Sequence, residues 1–102
     1  MDHLEEISFK IISGVGSAKS SYMLALRKAR EGNFDKAREL INEGDEYFLI
    51  GHHAHSELLQ MEGNSKELRF SILLVHAEDQ LMSTETIKIL VEEFIEVYSI
   101  IN

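Results

Sequence analysis

His76, Asp79 and Gln80 stand three and four residues apart in the stretch LLVHAEDQLM, residues 73–82. That spacing puts all three on one face of a helix. A histidine so placed can attack phosphorus as a neutral imidazole, can ligate a metal, or can be a core residue whose nitrogens are satisfied by neighbours. A second group lies in GHHAHSE, where His52 and His55 are three apart, as metal ligands on a helix can be. It reads more readily as a polar patch, and His3 stands alone at a terminus. Neither Glu-x-x-His nor His-Glu-x-x-His occurs, which removes the usual di-iron bundle and zinc-protease signatures. The chain also lacks a Gly-x-x-x-x-Gly-Lys loop, so a nucleotide site is not expected.

The elements that must hold these groups read as helices almost throughout, since proline is absent and apolar residues recur at helical spacing. Leu4, Ile7, Ile11, Val15, Ala18, Tyr22, Ala25 and Ala29 mark one face of a helix over about 4–31. Gly14 and Gly16 each cost that helix roughly 1 kcal/mol against alanine, which suggests close packing against a neighbour. In REGNFDKA, Gly32 suits a left-handed helix end and Asn33 can cap the next helix. A second helix over about 34–61 carries Phe34, Ala37, Leu40, Ile41, Phe48, Leu58 and Leu59. After the break EGNSKE, Ser65 is the expected cap of a third helix over about 67–101, with Leu68, Ile72, Leu81, Leu90, Phe94, Val97 and Ile101 on its face. Its start is ambiguous, because RFSILLV also has the composition of a short buried strand.

Three helices of similar length with short loops make an all-α, antiparallel up-down-up bundle. One domain spans residues 1–102, and so short a chain buries a modest fraction of its surface unless it associates. The third helix is apolar almost all round from Ile72 to Val75, and a subunit interface would use that surplus. GNFDKA has tetratricopeptide spacing at Gly32, Phe34 and Ala37, but a period of 34 lands on Lys66, Leu68 and Ser71. That supports a helical hairpin and not a repeat array.

Acidic residues outnumber basic ones 18 to 10, for a formal charge of −8, which repels nucleic acids and anionic lipid. From Phe70 onward Lys88 stands alone against six acids. No cysteine is present for a disulfide or thiolate site. No apolar run is long enough to span a bilayer, and MDHLEEISFK lacks the shape of a signal peptide. A cytoplasmic protein without membrane insertion is the expectation.

LLVHAEDQLM resembles the HAQDHLM signature of the lactose/cellobiose-specific IIA component of the bacterial phosphoenolpyruvate-dependent sugar phosphotransferase system. The likeness extends over Leu4, Glu5, Glu6, Gly16, Ala18 and Ser20, over the Ala25 to Ala37 turn, and over the histidine-rich stretch of the second helix, without gaps from Leu4 to Met82. The resemblance implies a three-helix subunit assembled as a trimeric nine-helix bundle. It implies a phosphocarrier in which His76 takes a phosphoryl group from phospho-HPr and passes it to a cysteine of a cognate IIB component, for uptake of a lactose/cellobiose-type sugar. It implies further that Asp79 meets its two symmetry mates around a divalent cation, with magnesium the expected ion for oxygen ligands. Three positions depart from the family pattern: Glu78 and His55 replace glutamines, and Gln80 replaces a histidine, while His52 matches. The carboxylate of Glu78 is expected to add negative charge near an incoming phosphoryl group. Two other readings stand beside this one. One is a non-enzymatic helical interaction module with a structural His76; the other is a metal-binding bundle using His52, His55 and His76.

Overall fold

The computed structural model describes residues 2–64 and 70–101. The described residues form α1 (His3–Arg30), α2 (Phe34–Asn64) and α3 (Ile72–Ile101), an up-down-up bundle about 55 Å long and 19 Å wide. α1 packs closely along α2 and along α3, whereas α2 and α3 touch little. The first helix is thus the spine.

Each helix end has a local cause. Asp2 caps α1 by accepting from the Glu5 amide at 2.8 Å. At the other end Gly32 takes φ +84°, and the Asn33 amide reaches back to the Lys28 carbonyl at 2.8 Å, closing the helix as a left-handed glycine stop does. Asn33 then accepts from the Lys36 amide at 3.2 Å and starts α2, as its sequence suggests. α2 runs three residues past the expected Met61, to Asn64.

The start of α3 is a correction. Phe70 and Ser71 are not helical, and the Ser71 hydroxyl accepts from the Leu74 amide at 2.9 Å. Ser71 is therefore the cap, and the helix begins at Ile72 instead of about 67. The expected cap Ser65 lies outside the described residues, as does Leu68.

All eight apolar residues expected on α1's face are buried. Gly14 packs against α2 so closely that a Cβ there would sit 2.9 Å from the Gly51 backbone nitrogen. Gly16 has nothing within 4 Å of such an atom, so close packing explains the first glycine and not the second. On α2, Leu59 is exposed and Ala54 and Gly51 take the inward positions instead. The largest correction falls on α3: Ile72, Leu90, Phe94, Val97 and Ile101 are exposed, and among the described residues of the expected face only Leu81 is buried. The inward stripe is Leu74, Ala77, Leu81, Thr84 and Val91. Because α3 is apolar on several sides, periodicity could not say which side meets α1.

One polar network ties the three helices at mid-length. The Tyr22 hydroxyl of α1 donates to Asp45 of α2 at 2.7 Å, and Lys88 of α3 donates to the same carboxylate oxygen at 2.8 Å. Gly44 leaves room for the ring, since a Cβ there would meet Tyr22 Cε1 at 2.5 Å. Burial, aided by the neighbouring carboxylate, pushes the Tyr22 hydroxyl well above its ordinary pKa. The hydrogen bond to Asp45 is the main cause that raises Lys88.

Candidate functional site

The corrected start of α3 changes the setting of His76. A helix beginning at about 67 would hold this residue in its third turn, but a helix beginning at Ile72 holds it in the second. Helical side chains lean toward the N-terminus. The ring is therefore carried toward the positive end of α3, where negative charge is favoured.

His76 is exposed, and among the described residues no hydrogen bond or ion pair engages its ring. The structural reading of this histidine, as a satisfied core residue, does not fit that position. Ala77 beside it is fully buried. The backbone of this turn is thus anchored while the imidazole is presented outward.

Asp79 is also exposed. At about 100° per residue it lies within about 60° of Ile72, Val75, Met82 and Leu90 around the helix, all of them exposed apolar side chains. A carboxylate in an apolar stripe is costly to bury in a contact unless its charge is met. Its oxygens suit a hard cation shared with carboxylates from other copies. Within this chain no group of three or more His, Cys, Asp or Glu among the described residues could hold a metal.

Glu78 is not where its sequence position implied. The N–H at His55 Nε2 donates to Glu78 Oε1 at 2.8 Å, the donor being fixed because an ionised carboxylate only accepts. Residues 76 and 78 point about 160° apart around the helix. The added carboxylate therefore turns toward α2, on the flank away from His76. The two departures at 55 and 78 are partners. Their separation of 23 residues hid the link, and the only sequence signal was that both break the same family pattern.

This arrangement also argues against the alternative of a metal cluster at His52, His55 and His76. His55 is committed to Glu78, while His52 is exposed and its ring lies edge-on to His53 at 6.5 Å. His3 lies 3.4 Å from Glu57 on the α1–α2 surface. Gln80 is partly buried in the turn after His76.

Residues 6–99 match the family described as the lactose/cellobiose-specific IIA subunit of the phosphotransferase system. The oligo-beta-mannoside-specific EIIA component of Bacillus subtilis is 38% identical over 98 residues, covering 96% of this chain and 89% of its own. The crystal structure of the cellobiose-specific enzyme IIA from Bacillus anthracis superposes with a TM-score of 0.94 at 37% identity, covering 99% of this chain and 93% of that one. The IIA(Chitobiose) in complex with HPr from Escherichia coli gives a TM-score of 0.82 at 27% identity, covering 99% and 98%. No helix among the described residues is long and apolar enough to cross a membrane. With signature, length and three-helix fold in agreement, the chain belongs to the lactose/cellobiose-specific IIA family, the phosphocarrier components of the sugar phosphotransferase system.

Proposed function

We propose that His76 accepts a phosphoryl group from phospho-HPr and passes it to a cysteine of a cognate IIB component, in the cytoplasmic stage of uptake of a lactose/cellobiose-type sugar. The observation that carries this reading is the exposed, unengaged imidazole in the second turn of α3. An unprotonated ring nitrogen of His76 attacks phosphorus as the donor's P–N bond breaks. In the second transfer a thiolate attacks the same phosphorus, and the electron pair of the P–N bond returns to His76. Both steps rest on positioning and charge stabilisation. The amino end of α3 favours the phosphoryl charge on His76, and the buried Leu74, Ala77 and Leu81 fix the backbone beneath it. HPr as donor is supported by the IIA–HPr complex of the chitobiose relative. Phosphoenolpyruvate, enzyme I and HPr should add one phosphoryl group to the intact chain, and no gain in mass overturns the proposal.

The exposed stripe of α3 is read as the contact between three copies, each contributing Asp79 to one divalent cation, magnesium by its preference for oxygen ligands. When bound, the cation neutralises three carboxylates that would otherwise repel one another. Sedimentation tests this part by itself. A chelator should dissociate the native trimer at neutral pH, while Asp79→Leu should give a trimer that ignores the chelator, because apolar side chains replace a charge cluster. A native protein that stays monomeric in saturating magnesium contradicts both the trimer and the shared cation.

A further inference from the structure

We propose that His55 and Glu78 form a clasp that sets the roll of α3 and so positions His76 for transfer, an inference that rests on the role proposed for His76. The clasp crosses from α2 to α3, the two helices that otherwise touch little. It is made at 2.8 Å by side chains that are 17% and 35% exposed. Among the described residues the other polar tie between these helices, Asp45 to Lys88, lies ten residues farther along α3, or about 15 Å at 1.5 Å per residue.

The turn that carries His76 needs such a tie. The helix begins one residue after the Ser71 cap; Leu74 and Ala77 seat it on the core, while Ile72 and Val75 on the outer side are exposed, so its start is held along one narrow line that leaves its roll to other contacts. Helix ends open more readily than helix middles. His76 itself makes no bond among the described residues that would fix its ring. Its aim follows the roll of the helix under it. Side-chain atoms sit about 5–6 Å from a helix axis, so a roll of about 10° carries the ring by about 1 Å. A misplacement of that size can slow a positioned reaction by up to about a hundredfold.

Glu78 suits this role because it lies on the flank opposite His76. From there it resists roll without adding charge at the reacting ring. A hydrogen bond of this kind contributes little net stability, so its loss should alter aim more than folding.

Single-turnover transfer from phospho-HPr is the test, run on Glu78→Ala, His55→Ala, the double alanine variant and His55→Gln. At saturating donor each alanine variant should phosphorylate His76 about tenfold more slowly, with half-saturation changed less than twofold. The double variant should be no slower than either single, as partners in one contact behave. His55→Gln should regain most of the rate, because its amide N–H reaches the place of Nε2–H. A purely structural role would lower melting temperature and leave the saturated rate of folded protein unchanged. Alanine variants that transfer at the native rate, or a double variant slowed by the product of the singles, overturn the clasp. An unlabelled native protein overturns the reading of His76 itself, a distinct result.

Discussion

Along α1 eight apolar residues from Leu4 to Ala29 fall in one stripe and are all buried, with Phe9 and Leu24 exposed off that stripe, while along α3 Ile72, Ile89 and Ile100 are each more than 60% exposed. The two helices differ little in length, at 28 and 30 residues. They differ in where their partners are. α1 is flanked on both sides within the chain, so a narrow stripe suffices to bury it. α3 meets mainly α1, and its remaining apolar faces have no partner in one copy. Exposed apolar surface of this extent marks an interaction site, and the candidate site lies on that same helix. Burial is concentrated along the spine and the candidate site lies at the edge.

Substitutions can break this contrast, and the largest effect belongs to the spine. Ile11 is fully buried, and Ile11→Ala should cost about 4 kcal/mol through lost burial and a residual cavity, read from urea unfolding at fixed protein concentration. Leu90, half-exposed on α3, should behave oppositely: Leu90→Ala should change subunit unfolding by about 1 kcal/mol or less but weaken self-association in sedimentation. Equal losses in the two variants would erase the distinction.

The glycines give a finer comparison within α1. By helix propensity alone each alanine substitution gains about 1 kcal/mol, and Gly16→Ala, which meets nothing within 4 Å, should show that gain in thermal melts. Gly14→Ala should lose about 1 kcal/mol instead, since overpacking outweighs propensity where the new Cβ meets backbone at 2.9 Å. The smallest effect concerns pH. Tyr22 and Lys88 both hold their protons more tightly in the folded chain than their ordinary values imply. Their contribution is thus fully present below about pH 10, where the unfolded groups titrate, and is lost as pH rises through the folded values. Melts between neutral and strongly alkaline pH should fall at the alkaline end, and Tyr22→Phe should make that fall shallower.

The spine was legible in the sequence because a single stripe on a helix has one way to face a core. Leu4 through Ala29 and the Gly32–Asn33 turn were all readable for that reason. The α3 face was not, because a helix apolar on several sides carries no record of which side its own chain takes. Ser71 was missed as a cap because Ser65 and Ser71 are alike as residue types, and only the backbone distinguishes them. His76 and Asp79 were singled out through a local motif. The pairing of Glu78 with His55 was hidden, since contact across 23 residues depends on how two helices are set side by side. Lys88, the lone base from Phe70 onward, gave no sign in the sequence of its pairing with Asp45 of α2.

The central claim is that the edge helix carries a phosphoryl group on His76. Its most direct test maps the label after incubation with phosphoenolpyruvate, enzyme I and HPr, in the native chain and in His76→Ala and His52→Ala. The account expects an acid-labile, base-stable adduct on the native protein and on His52→Ala, and none on a folded His76→Ala. Labelling that survives the loss of His76 would contradict it.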